Sequence, residues 1–224
     1  MSTPTPQATT QTSGLVIRTP RRYDLQLWLA SFGREGRFRS EEVRLARIAP
    51  GDRVLDVGCG TGSLTIAAAR AVGASGSATG VDPSEEMIER ARAKGRQARV
   101  AATFLATAGE ALPFADGSVD VVLLSLVLHQ LPPDALHATM AQVRRVLAPG
   151  GRLLVVDLGT PVPGQRTVHS HAARHAGSAA LFEVVRVGQL LEHLGLTIVE
   201  QGPIAFRFRW VEPLRYILAS LPTP

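Results

Sequence analysis

The chain has 224 residues, a 45% hydrophobic composition and one cysteine, Cys59. That length suits one α/β domain with a full core and is too short for two ordinary ones. No apolar run approaches the roughly 20 residues that cross a bilayer, and a lone cysteine excludes an intrachain disulfide or a cysteine-rich metal site. The net charge is +5, and all but one of the 24 basic residues are arginine, Lys94 being the exception. The excess reads as a solvated basic face, with attraction to anionic substrates or peripheral contact with a membrane surface as the sharper alternative.

Met1 to Ser13 is rich in Ser, Thr, Pro and Gln and lacks the basic and apolar regions of a signal peptide. Residues 1–18 are therefore expected to be a disordered tail, and the protein to be cytoplasmic. Residues 19–49 predict a helical cap. Arg21 to Ser31 carries Tyr23, Leu25, Leu27 and Trp28 with Phe32 just beyond, and a second helix opens at Ser40, an N-cap followed by Glu41 and Glu42. Pro50-Gly51-Asp52 ends it. Strands are then expected from Val54, at Ser77 to Val81, Ala101 to Ala106, Val119 to Leu124 and Arg152 to Asp157. The helices between them run to about Val72, from the cap Ser84, and over Asp134 to Leu147. Apolar strands alternating with helices predict a mostly parallel sheet covered on both faces, a single α/β domain over residues 19–224. Residues 159–180 break the rhythm and read as an insertion. After a helix at Val187 to Leu194, Thr197 to Glu200 and Ala205 to Val211 lie too close for a parallel crossover, and predict a terminal antiparallel hairpin.

Val54-Leu55-Asp56-Val57-Gly58-Cys59-Gly60-Thr61-Gly62 reads as a buried strand entering a three-glycine loop. A Cβ at Gly58, Gly60 or Gly62 would hold a ligand off the backbone. The amides of the next helix favour an anionic or electron-rich group. A dinucleotide fingerprint is Gly-x-Gly-x-x-Gly/Ala, whereas here Ser63 holds the sixth position and Gly62 comes one residue early. The segment resembles instead the loop of class I S-adenosylmethionine (SAM)-dependent methyltransferases, an acid before Gly-x-Gly-x-Gly. Three more segments resemble the same family in the same order. They are Gly80-Val81-Asp82-Pro83-Ser84, Glu110 to Phe114 with Asp116 to Asp120, and Arg144 to Leu153. The resemblance covers roughly Pro50 to Leu158 and is nearest the small-molecule and quinone methyltransferases. It implies a Rossmann-like seven-stranded sheet, mostly parallel, with helices on both faces.

Asp82, at the end of the second strand, is placed to accept from both ribose hydroxyls, with helix capping as its alternative; Pro83 follows it, and Met87 packs on the adenine by resemblance. Asp56 would organise the loop amides and reach the ammonium group, whose site the carbonyls of Gly58 and Ser125 complete by resemblance. Cys59 sits within this cofactor-binding loop as a small filler. Ala108 stands where the family often has an acid for the adenine amino group, so adenine recognition falls to the backbone of Ala108, Gly109 and Glu110, or to a shifted role for Glu110. In related enzymes a tyrosine near Tyr23 faces the sulfonium, and the leading helix, here with Trp28 and Phe32, closes the acceptor pocket; packing of the same aromatics against the sheet is the alternative.

His129 follows the fourth strand, where the fold opens to the acceptor, and is either a general base or a wall of the pocket. His169, His171 and His175 could ligate a metal, but the segment lacks a carboxylate and no metal is expected; by resemblance the insertion at 159–180 lies on the acceptor side, and His171 is assigned to its lid. The turn signatures of base-amine methylation and the nucleophilic Pro-Cys of cytosine methylation are absent from the sequence, so no nucleic-acid partner is expected. The resemblance implies methyl transfer from SAM to a small or lipid-like acceptor by in-line displacement. The alternatives are a SAM-dependent cyclisation or elimination and a non-catalytic SAM-binding regulator. Oligomeric state is not readable.

Overall fold

The computed structural model describes residues 9–159, 184–206 and 214–223. Helices α1 (Pro20–Ala30) and α2 (Glu35–Leu45) precede the alternation β1 (Arg53–Val57), α3 (Ser63–Val72), β2 (Ser77–Asp82), α4 (Glu85–Ala98), β3 (Ala102–Ala106), β4 (Val119–Ser125), α5 (Pro133–Val146), β5 (Leu147–Leu158) and α6 (Val184–His193). Strands β6 (Thr197–Pro203) and β7 (Leu214–Ser220) close the sheet, in the order β3-β2-β1-β4-β5-β7-β6. All pairings are parallel except those of β7, which runs antiparallel to both β5 and β6.

The strands are apolar at successive positions because helices cover both faces. In β4, Val122 and Leu124 enter a core shared with Met140 and Val143 of α5 and Leu191 of α6. Val121 and Leu123, pointing the other way, enter a core shared with Phe38 and Leu45 of α2 and Leu64, Ala68 and Val72 of α3. The chain leaves β1 toward β2 on one side and returns through β4 on the other. This reversal opens a crevice beyond the carboxyl ends of β1 and β4, where open α/β sheets bind ligands. Among the described residues no helix is long and apolar enough to cross a membrane.

Three expectations are corrected. Ser40 does not cap α2; the helix begins five residues earlier, and the Ser40 hydroxyl donates to the Gly36 carbonyl inside it at 2.9 Å. A serine inside a helix can bond back to the carbonyl four residues earlier. The second hairpin strand is Leu214–Ser220, not Ala205–Val211; Ala205 and Phe206 lie outside the strands, and 207–213 fall outside the described residues. The tail, expected to lack order over 1–18, is held from Thr9 onward. Thr9 O accepts from Ala108 N at 2.6 Å, and Leu15 N donates to Gln130 O at 3.0 Å. Thr9 N donates to Thr107 Oγ1 at 3.3 Å. Composition registers the polar run from Thr9 to Ser13 but not the backbone hydrogen bonds that hold the strap. The acceptor-side insertion lies outside the described residues from 160 onward.

Candidate active site

The turn out of β1 is secured by its amides. Gly58 N and Cys59 N donate to Val81 O, and Gly60 N donates to Asp82 Oδ2 at 3.0 Å. The other Asp82 oxygen accepts from Ser84 N at 2.9 Å, and Ser84 Oγ caps α4 by accepting from Met87 N. Asp82 therefore organises both loops while each of its oxygens retains lone-pair capacity facing the crevice. Burial pushes its carboxyl up, and the Ser84 and Gly60 amides pull it back only in part.

The three loop glycines serve different ends. All have positive φ. A Cβ on Gly58 would lie 2.4 Å from Val127 Cγ2, and one on Gly62 would lie 2.7 Å from Phe104 and 2.8 Å from Ala91. Gly60 meets only Tyr23, at 3.8 Å, so it alone of the three leaves its side open to a ligand. The expectation that all three spare space for a ligand thus holds for Gly60 in geometry, while protein packing requires Gly58 and Gly62.

The crevice is lined by Tyr23, Gly58, Gly60, Asp82, Pro83, Met87, Gly109, Glu110 and Ser125, which the sequence nominated, and by Thr12 and Gly14 to Ile17 of the strap, Val127, Gln130, Leu131 and Thr139, which it did not. Other nominated residues stand elsewhere. Asp56 is buried and accepts from Thr65 Oγ1 at 2.6 Å; it ties β1 to α3, and the loop amides go to Val81 and Asp82 instead. The Cys59 sulfur packs toward Gly80, and burial pushes its thiol well above the ordinary value. Ala108 is fully buried with its N–H given to Thr9, leaving Gly109 and Glu110 at the crevice, where Glu110 accepts from Thr12 Oγ1 at 2.5 Å. Trp28 and Phe32 do not line the crevice; they are 56% and 59% exposed, because the inward face of α1 is the one carrying Tyr23 and Leu27. His169, His171 and His175 lie outside the described residues.

A buried polar network under the crevice escaped the sequence reading. Ser125 Oγ donates to Glu42 Oε1 at 2.5 Å and accepts from Arg39 Nη1 at 3.1 Å, while Arg39 Nη1 also pairs with Glu42 Oε2 at 2.9 Å. Burial raises the Glu42 carboxyl, with Arg39 and Ser125 drawing it back in part. Burial lowers Arg39, but Glu42, Tyr23 and Glu35 more than offset this and hold the guanidinium above its ordinary value. The only available signal was the Arg-x-x-Glu spacing next to the buried Phe38. Burial is also the first cause raising the neighbouring Tyr23 phenol.

Beyond β4, His129 Nδ1 meets Asp157 Oδ1 at 2.6 Å, and His129 N donates to Asp157 Oδ2 at 3.3 Å. Asp157, at the end of β5, is fully buried and also accepts from Leu158 N. The carboxylate can only accept from Nδ1–H, which leaves Nε2 with the free lone pair. His129 itself is not among the crevice-lining residues, although Val127 and Gln130 on either side are. The Thr139 hydroxyl lines the crevice, is buried and has no hydrogen-bond partner among the described residues.

The seven-stranded sheet, with this glycine loop and the acid that ends β2, is Rossmann-like. Residues 54–151 match the family model described as a methyltransferase domain. It is 34% identical over 142 residues to the demethylmenaquinone methyltransferase of Bacillus cereus, an alignment covering 62% of this chain and 59% of that protein. The chain thus spans less than two thirds of the length of the curated relatives it matches. Among solved structures it is similar to a 4+2 cyclase, with TM-score 0.70 and 17% identity over 96% of this chain and 100% of that one. It is also similar to the Burkholderia thailandensis 1,6-didemethyltoxoflavin-N1-methyltransferase with bound 1,6-didemethyltoxoflavin and S-adenosylhomocysteine, with TM-score 0.65, 20% identity and 94% of each chain covered.

Two outcomes follow. Burial raises the Asp56 carboxyl to about 7, outweighing the Thr65 hydrogen bond and the Arg39 charge. Between the ordinary carboxylate value and about 7 the folded state binds the extra proton, so stability is lost as pH rises through that window, at up to about 1.4 kcal/mol per unit. Asp56→Asn should flatten this slope, with urea midpoints of the two proteins separating progressively from pH 4 to 7. Gly62→Ala should lower the urea midpoint sharply through the Phe104 clash, whereas Gly60→Ala should cost only the left-handed strain of roughly 1–2 kcal/mol. Equal losses would refute the division between the two glycines.

Proposed function

We propose that the chain transfers the methyl group of SAM to a small or lipid-like acceptor, a quinol-type ring being the reading closest to its 34% identical relative. The observation that carries it is the pairing, at the sheet's reversal, of the Asp82 carboxylate with the open side of Gly60. The crevice residues fit the cofactor: an acid with spare lone pairs for vicinal ribose hydroxyls, a glycine that lets a ligand reach backbone, Met87 as an apolar wall, and the Thr139 hydroxyl awaiting a partner. When bound, SAM supplies an electrophilic methyl on a sulfonium, which bonds to the acceptor as the carbon–sulfur pair returns to sulfur.

The chain's part is to align, to exclude water and to take a proton. Tyr23, beside Gly60, and the strap residues Leu15 to Ile17 cover the crevice. Alignment of this kind can supply about 7–11 kcal/mol. An acceptor hydroxyl or acidic carbon must lose its proton near the attack, and His129 Nε2 can receive it, because Asp157 holds Nδ1–H and steadies the imidazolium that forms. Asp157 acts here as a positioning residue.

Calorimetric titration with SAM, then transfer of label from methyl-labelled SAM to a short-chain naphthoquinol, tests the reading; absence of SAM binding would end it. Asp82→Ala should weaken SAM by roughly 1.5–3 kcal/mol with the fold retained. Thr139→Val should weaken SAM while leaving the melting temperature unchanged or higher, since it removes an unpaired buried hydroxyl. A fall in melting temperature with unaltered affinity would make Thr139 merely structural. His129→Gln should lower turnover roughly 100-fold or more at nearly unchanged SAM affinity. Asp157→Asn should shift the pH–rate profile, which a wall role for His129 would leave in place.

A further inference from the structure

Helix α1 has two apolar faces, and among the described residues only one of them is used by the fold. Leu27 is buried and Tyr23, four residues before it, lines the crevice. Asp24 fastens this side, accepting from Thr61 Oγ1 at 2.7 Å, Arg90 Nε at 2.9 Å and Lys94 Nζ at 3.3 Å. On the opposite side Leu25, Trp28 and Leu29 are 55%, 56% and 47% exposed. Their i, i+3, i+4 spacing makes them one stripe. Large apolar side chains grouped in this way on a surface mark an interaction site more often than a chance exposure does.

What surrounds the stripe selects the occupant. Arg21 and Arg22 precede Leu25 by four and three residues, so they sit one turn earlier on the same face, and both are exposed. Arg34 and Arg37, just after α1, are also exposed. The two acids in residues 18–39 are committed inward: Asp24 to Thr61, Arg90 and Lys94, and Glu35 to the buried Arg39 at 3.5 Å. The surface is therefore an apolar Leu-Trp-Leu stripe with an arginine rim and no acid of its own left facing outward. Tryptophan suits the boundary between water and hydrocarbon, and each surface arginine gains from anionic headgroups.

We propose that the outer face of α1 docks onto an anionic lipid surface. Docking stands on the geometry of α1 alone. A second step rests on the lipid-like acceptor reading: since Tyr23 on the inner face borders the crevice, a docked α1 sets the acceptor side against the membrane from which such an acceptor would enter.

Sedimentation of the full chain with phosphatidylcholine vesicles containing phosphatidylglycerol in equal parts, against phosphatidylcholine alone, tests this without cofactor or acceptor. Binding should favour the anionic vesicles and weaken with salt. Trp28→Ser with Leu29→Ser should cut it about tenfold or more, and Arg21→Glu with Arg22→Glu should abolish the anionic preference. SAM affinity, measured by calorimetry on each variant, should stay unchanged and certifies the fold. No binding to anionic vesicles, or binding indifferent to both double variants, would overturn the proposal. So would a self-association relieved by Trp28→Ser with Leu29→Ser in protein that ignores vesicles, which would assign the stripe to a second copy. Vesicle binding lost while SAM binding and label transfer persist would refute the docking and leave methyl transfer standing; the converse would do the reverse.

Discussion

The structure depends on how the chain satisfies its backbone as it leaves β1. A left-handed glycine loop exposes amides that no helix or strand can use, and buried amides without partners are costly. Here the carbonyl of Val81 takes two of them and the carboxylate of Asp82 takes a third. The end of β2 is thereby fused to the turn after β1, and the same carboxylate extends to Ser84 at the start of α4. One acid thus fixes the relative position of three segments that meet at the reversal of strand order. Each of its oxygens accepts one protein hydrogen bond, so the carboxylate that builds the loop keeps acceptor capacity while it lines the crevice.

A second constraint is electrostatic. Arg39 and Glu42 of α2 are withdrawn from water, a cost that good geometry and further hydrogen bonds offset. Ser125 bonds to both at the end of β4, while Arg39 Nε faces Glu35 Oε1 at 3.5 Å as an ion pair without a hydrogen bond. The network makes α2 commit to one position on the sheet, and it places a polar, rigid floor beneath Tyr23. Removing one partner would leave a buried charge uncompensated, so these residues behave as a unit.

The central sheet was legible because its information is local: runs such as Val121 to Leu124 are apolar on both faces, and the glycine loop and Asp82 sit at strand ends where spacing alone locates them. Legibility fails where tertiary contacts decide. Ser40 reads as a cap from its neighbours, yet the helix already runs through it. Residues 9–18 read as disordered because their hold on Thr107, Ala108 and Gln130 is made by backbone atoms. The second hairpin strand was misplaced because Ala205–Val211 and Leu214–Ser220 carry comparable apolar patterns, and pairing with β5 chooses between them. Asp157 was invisible as a partner of His129, since 28 residues and a change of strand separate them.

Trp28 and Phe32 show how composition misleads about direction. Aromatic residues in a helix that caps a crevice invite assignment to the crevice, and the stripe Tyr23–Leu27 already fills that role. At 100° per residue, Leu25, Trp28 and Leu29 must then face away. The phase of α1 is not free to change, because Asp24 is gripped by Thr61 of the glycine loop and by Arg90 and Lys94 of α4. Turning Trp28 inward would break all three contacts and expose Tyr23 and Leu27. The outward apolar face is therefore the geometric consequence of anchoring the helix over the glycine loop. A soluble α/β domain could have filled those positions with polar residues at no cost to that anchoring.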